Sequence, residues 1–267
     1  MNNRVKYTLV AFGVLTNFFV FGIEISRALE PPRVYRGVLI LEGKIEPGDY
    51  FSVRNFLRKK SNFEKISGGV FLASPGGSVI EAMKIGHLIR ALQLSTDAPS
   101  GPPTDVPKFG TSLITPRSLV NPQANYLCAS SCFLVYVAGI YRHLTWVGRL
   151  GVHRPIRVER KSQRVDSEKA KFIDRSIRLA LERYLDEMDV PEKYFKLMFS
   201  VPPNKVRWIT QNEFDSDLKG YIPKIKKLIN ANCGPNYEGK TEITENTKCK
   251  IAIEQPMDAW QKLFVDR

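Results

Sequence analysis

Two serines stand between two cysteines in Cys128-Ala129-Ser130-Ser131-Cys132, at the head of the apolar run Phe133-Leu134-Val135-Tyr136-Val137. A serine hydroxyl is a weak nucleophile at neutral pH and needs a base beside it. Histidine is the usual base, because its pKa lies near working pH. His153 stands in the short run Arg149-Leu150-Gly151-Val152-His153, where a solvated role does not suit it. Acyl transfer also needs two hydrogen-bond donors aimed at the developing oxyanion. The turn Pro75-Gly76-Gly77 offers amides unhindered by side chains. The head of an apolar helix after Ser130 offers others. A glycine turn alone usually means a tight turn, and a lone histidine is usually structural. The order is what informs: glycine turn, serine before an apolar helix, then histidine. His87 and His143 have no such motif around them and read as structural.

Those residues have to be presented by strands and helices. The pattern predicts a strand over 34–45, a helix over 50–60 and a short buried strand over 68–74. A helix over 78–92 follows, with Ser78 as its N-cap. Residues 97–125 hold six prolines and little periodicity, so they read as a surface insertion or lid. His153 lies in a further short strand. Ile173, Ile177, Leu181, Tyr184, Leu185 and Met188 mark one face of a long helix over 167–188. Another helix begins near Pro191, then a turn, a short helix and a return strand up to residue 222. Strands alternating with helices imply an α/β fold. The expected organisation is a single domain over 29–223 and a C-terminal tail over 224–267.

The 267-residue chain carries a formal charge of +13, which favours anionic surfaces such as phospholipid headgroups. It lacks zinc-ligand spacing and the aromatic–basic repeats of nucleic-acid modules, so neither a metal nor a specific nucleic-acid partner is expected. Arg4 and Lys6 precede an apolar run of about 17 residues, and Ser26-Arg27-Ala28 offers a small-x-small cleavage site. Residues 1–28 are therefore expected to be a signal peptide or a retained anchor, with the folded part exported. Losing them removes Arg4, Lys6, Arg27 and Glu24, so most of the positive charge belongs to the folded part. Four cysteines suit an oxidising compartment. Cys233 and Cys249 flank a polar stretch that a disulfide would staple. Cys128 and Cys132 are either bridged or two small buried thiols, depending on the local backbone.

Three stretches in order resemble the Clp-type serine proteases of the Clp/crotonase superfamily. "LASPGGSV" is similar to the family's oxyanion turn, "ASSCFLVYVAG" to its nucleophile segment and "RLGVHRP" to its histidine strand. The likeness is closer to exported Clp-like bacterial proteins with a C-x-S-x-C segment, and it extends through "YLDEMDVPEKYF" and "RWITQNEF", over about 36–222. The resemblance implies a superhelical fold of repeated β-β-α units. It implies Ser130 as nucleophile, His153 as base, and the amides of Gly77 and Ser131 as the oxyanion hole. The sequence departs at the third residue. The family has an Asp shortly before the motif that reads "WIT" here, whereas this chain has Asn204 there and no acid between Phe199 and Thr210. Asn can orient an imidazole but adds no negative charge.

The resulting expectation is a cofactor-free serine hydrolase cleaving peptides or proteins, in the periplasm or anchored on the inner membrane facing outward. Association into a homo-oligomer fits the family. One rival is a non-catalytic binding protein on the same scaffold, which the missing acid favours. Another is an acyl-coenzyme A enzyme, which an exported chain would rarely supply with substrate. A serine–lysine dyad would draw on Lys169 or Lys171, on the helix after the histidine strand.

Overall fold

The computed structural model describes residues 28–67, 69–98, 127–144, 149–156, 167–233 and 256–266. All but residue 28 of the expected signal segment 1–28, nearly all of the proline-rich insertion 97–125 and the Cys233–Cys249 pairing lie outside the described residues. Within these residues the chain is a mixed α/β structure with two sheets.

The strand expected over 34–45 is a hairpin, β1 (Arg33–Tyr35) and β2 (Val38–Glu42). Arg36 and Gly37 between them both have positive φ, 46° and 82°. That is the backbone of a two-residue hairpin turn, and strand patterning alone hides it. β2 is buried throughout, as a strand covered on both faces must be. β3 (Val70–Ala73), β4 (Thr96–Ala98) and β6 (Tyr141–Leu144) extend the sheet in parallel, with Leu39 beside Val70, Val70 beside Thr96, and Thr96 beside Arg142. β9 (Gly220–Tyr221) closes its far edge antiparallel to β6. Asp97 and Ala98, expected to open the insertion, are thus strand residues.

Parallel neighbours need crossovers. Between β2 and β3 run α1 (Asp49–Arg58) and α2 (Lys60–Phe63). Between β3 and β4 runs α3 (Val79–Ala91), capped by Ser78, whose hydroxyl accepts from the Glu81 amide at 3.3 Å. The second sheet contains β5 (Cys128–Ala129), β7 (Leu150–Val152) and β8 (Arg207–Trp208). The sheets meet where β3 runs on into Ser74. The Ser74 amide donates to the Leu127 carbonyl at 2.8 Å, and the Ala129 amide to the Ser74 carbonyl at 3.0 Å. β3 therefore carries the glycine turn from the large sheet to the strand ahead of Ser130.

α4 (Ser131–Val137) is buried at every position and packs on α3. α5 (Ser167–Glu187) follows the predicted stripe, with Leu181, Tyr184 and Leu185 buried and Met188 just beyond it. α6 (Glu192–Ser200) and α7 (Gln211–Asp217) lead to the return strand, and Thr210 with Glu213 forms a capping box at the head of α7. α8 (Pro223–Cys233) and α9 (Pro256–Phe264) lie beyond residue 223. α9 nevertheless joins the core: Trp260 donates to the Leu57 carbonyl at 2.7 Å and stacks on Phe63. Among the described residues, no helix is long and apolar enough to cross a membrane.

Candidate active site

Ser130 occupies the junction between β5 and α4 with φ 57° and ψ −126°. This region is close to forbidden for a residue with a Cβ, and it persists only where the surroundings impose it. On the strand side, the Ser130 amide donates to the Gly151 carbonyl at 2.9 Å, and the Cys128 amide to the Arg149 carbonyl at 2.9 Å. On the helix side, the Ser130 carbonyl accepts from the Phe133 amide at 3.1 Å. Cys128 and Cys132 are bridged, with Cα atoms 5.2 Å apart and both side chains buried. The bridge spans the serine turn from strand end to first helical turn. It decides between the two readings that spacing left open.

The glycine turn packs directly on this junction. A Cβ on Gly76 would lie 2.6 Å from the Ser130 Cβ, 2.7 Å from the Ala129 carbonyl oxygen and 3.0 Å from the Ser131 amide nitrogen. Gly76 also has φ 100°. Its lack of a side chain is therefore doubly required. Ser74 fixes the turn from within, its hydroxyl accepting from the Gly76 amide at 3.1 Å. Gly77 (φ 139°) stands beside Ile45. Its neighbours take up the hydrogen bonds there, Ile45 donating to the Gly76 carbonyl and Ser78 donating to the Ile45 carbonyl, each at 2.8 Å. The bridge to Ile45 therefore does not use the Gly77 amide. Among the described residues neither it nor the Ser131 amide has an acceptor. The Ser131 side chain is buried and its hydroxyl has no partner. The two serines thus differ in exposure, Ser130 half-buried and Ser131 buried.

His153 arrives by strand register. Cys128 pairs with Leu150 and Ala129 with Gly151. Ser130 therefore stands beside Val152, with His153 one residue further along, and both follow the carboxyl ends of adjacent parallel strands, which are spaced about 4.8 Å. In open α/β sheets that end is where sites form. His153 Nδ1 lies 2.9 Å from the Arg154 carbonyl oxygen. A carbonyl only accepts, so Nδ1 is the donor in this contact, which in the neutral ring places the lone pair on Nε2. This is the tautomer a general base needs. No hydrogen bond joins Ser130 and His153 in this structure.

Asn204 is exposed, in a turn closed by the Lys205 amide on the Pro202 carbonyl at 3.0 Å. It makes no bond to the imidazole. The segment before it is tied to the site strand through Arg154. The Arg154 amide donates to the Val201 carbonyl at 3.0 Å, and its guanidinium donates to the Phe199 carbonyl at 3.0 and 2.8 Å. The loop thus reaches the histidine strand while its amide side chain does not reach the ring.

Lys169 and Lys171 sit on the exposed face of α5, and Lys171 pairs with Glu168 at 2.9 Å. His87 pairs with Glu187 at 2.9 Å and packs edge-on against Tyr184. His143 lies 3.3 Å from the buried Asp97 carboxylate, which raises it above the ordinary histidine range. The far end of α4 holds a device that the residue pattern does not reveal. Arg142, fully buried, donates to the Val137 carbonyl at 3.1 and 2.6 Å and also to the Met188 carbonyl, and Arg90 donates to the Ala138 carbonyl at 2.7 Å. Burial and the neighbouring Arg90 lower Arg142 to about 10, so it stays charged at the negative end of the helix. α4 is thereby anchored at both ends.

No protein-family model matches the chain, and no curated protein matches it.

Proposed function

We propose that this protein is an exported serine hydrolase of Clp/crotonase-like fold, most suited to cleaving peptide bonds. Ser130 attacks the carbonyl carbon, and His153 takes its proton at Nε2. The amides of Gly77 and Ser131 hold the oxyanion of the tetrahedral intermediate. His153 then returns the proton to the leaving amine, and water, activated by the same ring, releases the acyl group from Ser130. The Arg154 carbonyl keeps the ring in the productive tautomer, a part usually taken by an acidic residue. The observation that carries this reading is the backbone of Ser130. A non-glycine residue at φ 57° and ψ −126°, on a sharp strand-to-helix turn, is the geometry that presents a nucleophilic serine in hydrolases. The β3–α3–β4 crossover within a mixed α/β structure is compatible with that fold.

The test is labelling with a fluorophosphonate probe. Ser130→Ala abolishes it. His153→Ala lowers it at least about 100-fold. Ser131→Ala, which keeps the backbone amide, retains most of it. Equal labelling of wild type and Ser130→Ala would refute the hydrolase reading. A non-catalytic binding protein on the same scaffold is the second reading, favoured by the unpaired Asn204 and the absence of a Ser130–His153 hydrogen bond. It predicts a wild type that does not label.

A further inference from the structure

Among the described residues, the two stretches flanking His153 carry cations and no carboxylate. These are 149–156 and 199–209, and neither contains Asp or Glu. Arg154 directly follows the histidine and is exposed, its guanidinium braced on the Phe199 carbonyl through Nε and Nη2, with Nη1 unspent. Lys205 is exposed one residue before Val206. Val206 is the position facing His153, because Val152 pairs with Arg207 in the antiparallel register of β7 and β8. Arg149 lies over the Trp208 ring at 4.0 Å, and Arg178 over the Phe199 ring at 4.5 Å. Among the described residues none of these four has a carboxylate partner, whereas Arg207 pairs with Glu213 at 2.6 Å. Much of the remaining surface is paired, as in Lys60–Glu64, Lys84–Glu81, Lys196–Glu192 and Lys219–Asp215.

This matters for the chemistry. When His153 takes the Ser130 proton, an imidazolium forms beside these cations, and among the described residues no carboxylate pairs with the ring. A substrate bringing its own carboxylates supplies a balancing charge and pairs with these cations. We propose that the site takes acidic peptides, with Arg154 and Lys205 binding carboxylates beside the scissile bond and Arg154 as the specificity-determining residue. This rests on the reading of Ser130 and His153 as the acyl-transfer site.

The experiment uses the full chain with Ser130→Ala, which binds without turnover. Three fluorescein-labelled peptides of equal length, alternating Ala-Glu, Ala-Ser and Ala-Lys, are compared by anisotropy at low and high salt. The Ala-Glu peptide binds at least about tenfold tighter than Ala-Ser, and high salt reduces the difference. Adding Arg154→Gln and Lys205→Gln removes most of the preference. Arg154→Lys, which keeps the charge, retains it in part. Lys59→Gln with Lys65→Gln removes the same charge at the opposite end of β3 and leaves the preference within about twofold. Equal binding of Ala-Glu and Ala-Ser overturns the inference. So does equal loss in the two double variants, since net charge alone would then explain the binding. Probe labelling of wild type reports separately on the hydrolase reading. Labelling without acid preference sinks the inference alone. Acid preference without labelling sinks the hydrolase and leaves an acidic-peptide site standing.

Discussion

The two halves of the candidate site are built to different standards. The half around Ser130 is held on every side. Gly76 packs against Ser130, backbone bonds reach Ser74 and Gly151, a disulfide straddles the turn, and two arginines cap the far end of α4. Around His153 the strand is paired and Arg154 is braced, but the imidazole itself has one carbonyl contact, beside an exposed turn carrying Asn204 and Lys205. Strain at Ser130 of about 1–3 kcal/mol can persist only in the first kind of setting. A histidine with free Nε2 on an open rim can instead move onto its substrate. Hydrogen bonds in unliganded sites often tighten only when substrate arrives.

Substitutions can break this contrast. Gly76→Ala should have the largest effect, because its Cβ would meet the Ser130 Cβ at 2.6 Å and the Ala129 carbonyl at 2.7 Å, at φ 100°. A loss of about 3 kcal/mol in denaturant titration, with probe labelling lost as well, is expected. Removing the bridge with Cys128→Ala and Cys132→Ala comes next. A short closed loop contributes about 2 kcal/mol by chain entropy, so the double variant should lose about that much and label more slowly. Ser130→Gly should then be about 1 kcal/mol more stable than Ser130→Ala, since glycine takes the turn's backbone freely. If the alanine variant is equally stable, the surroundings do not impose the turn. The smallest effect belongs to the open half. Asn204→Ala should change stability by about 0.5 kcal/mol or less and labelling by less than about twofold. A larger loss of labelling would give Asn204 the role of third residue.

The contrast also explains what the sequence makes legible. Ser130, the helix behind it and the long α5 follow from apolar spacing, which depends on neighbours in the chain. The Ser78 cap is equally local. The hairpin break at Arg36-Gly37 was hidden because Val34 to Ile45 reads as one β-prone run, and the turn lies in two backbone angles. The role of Gly76 was only half visible. Its small size was evident, but its contact with Ser130 depends on β3 and β5 meeting across two sheets. The Arg90 and Arg142 caps could not be seen, since a buried arginine in a strand looks like a surface charge until its carbonyl partners arrive from α4 and the end of α5. Asn204 was selected for its place before "WIT", and chain position is a poor guide to where an exposed side chain points.

The account turns on whether Ser130 is a nucleophile activated by His153. Peptide mapping of the wild-type protein after exposure to a fluorophosphonate is the most direct measurement. The account predicts one phosphonyl adduct, on Ser130, absent after His153→Ala at the same exposure and present after Asn204→Ala. An unmodified Ser130, or an adduct on Ser131 or any other residue in its place, would contradict it.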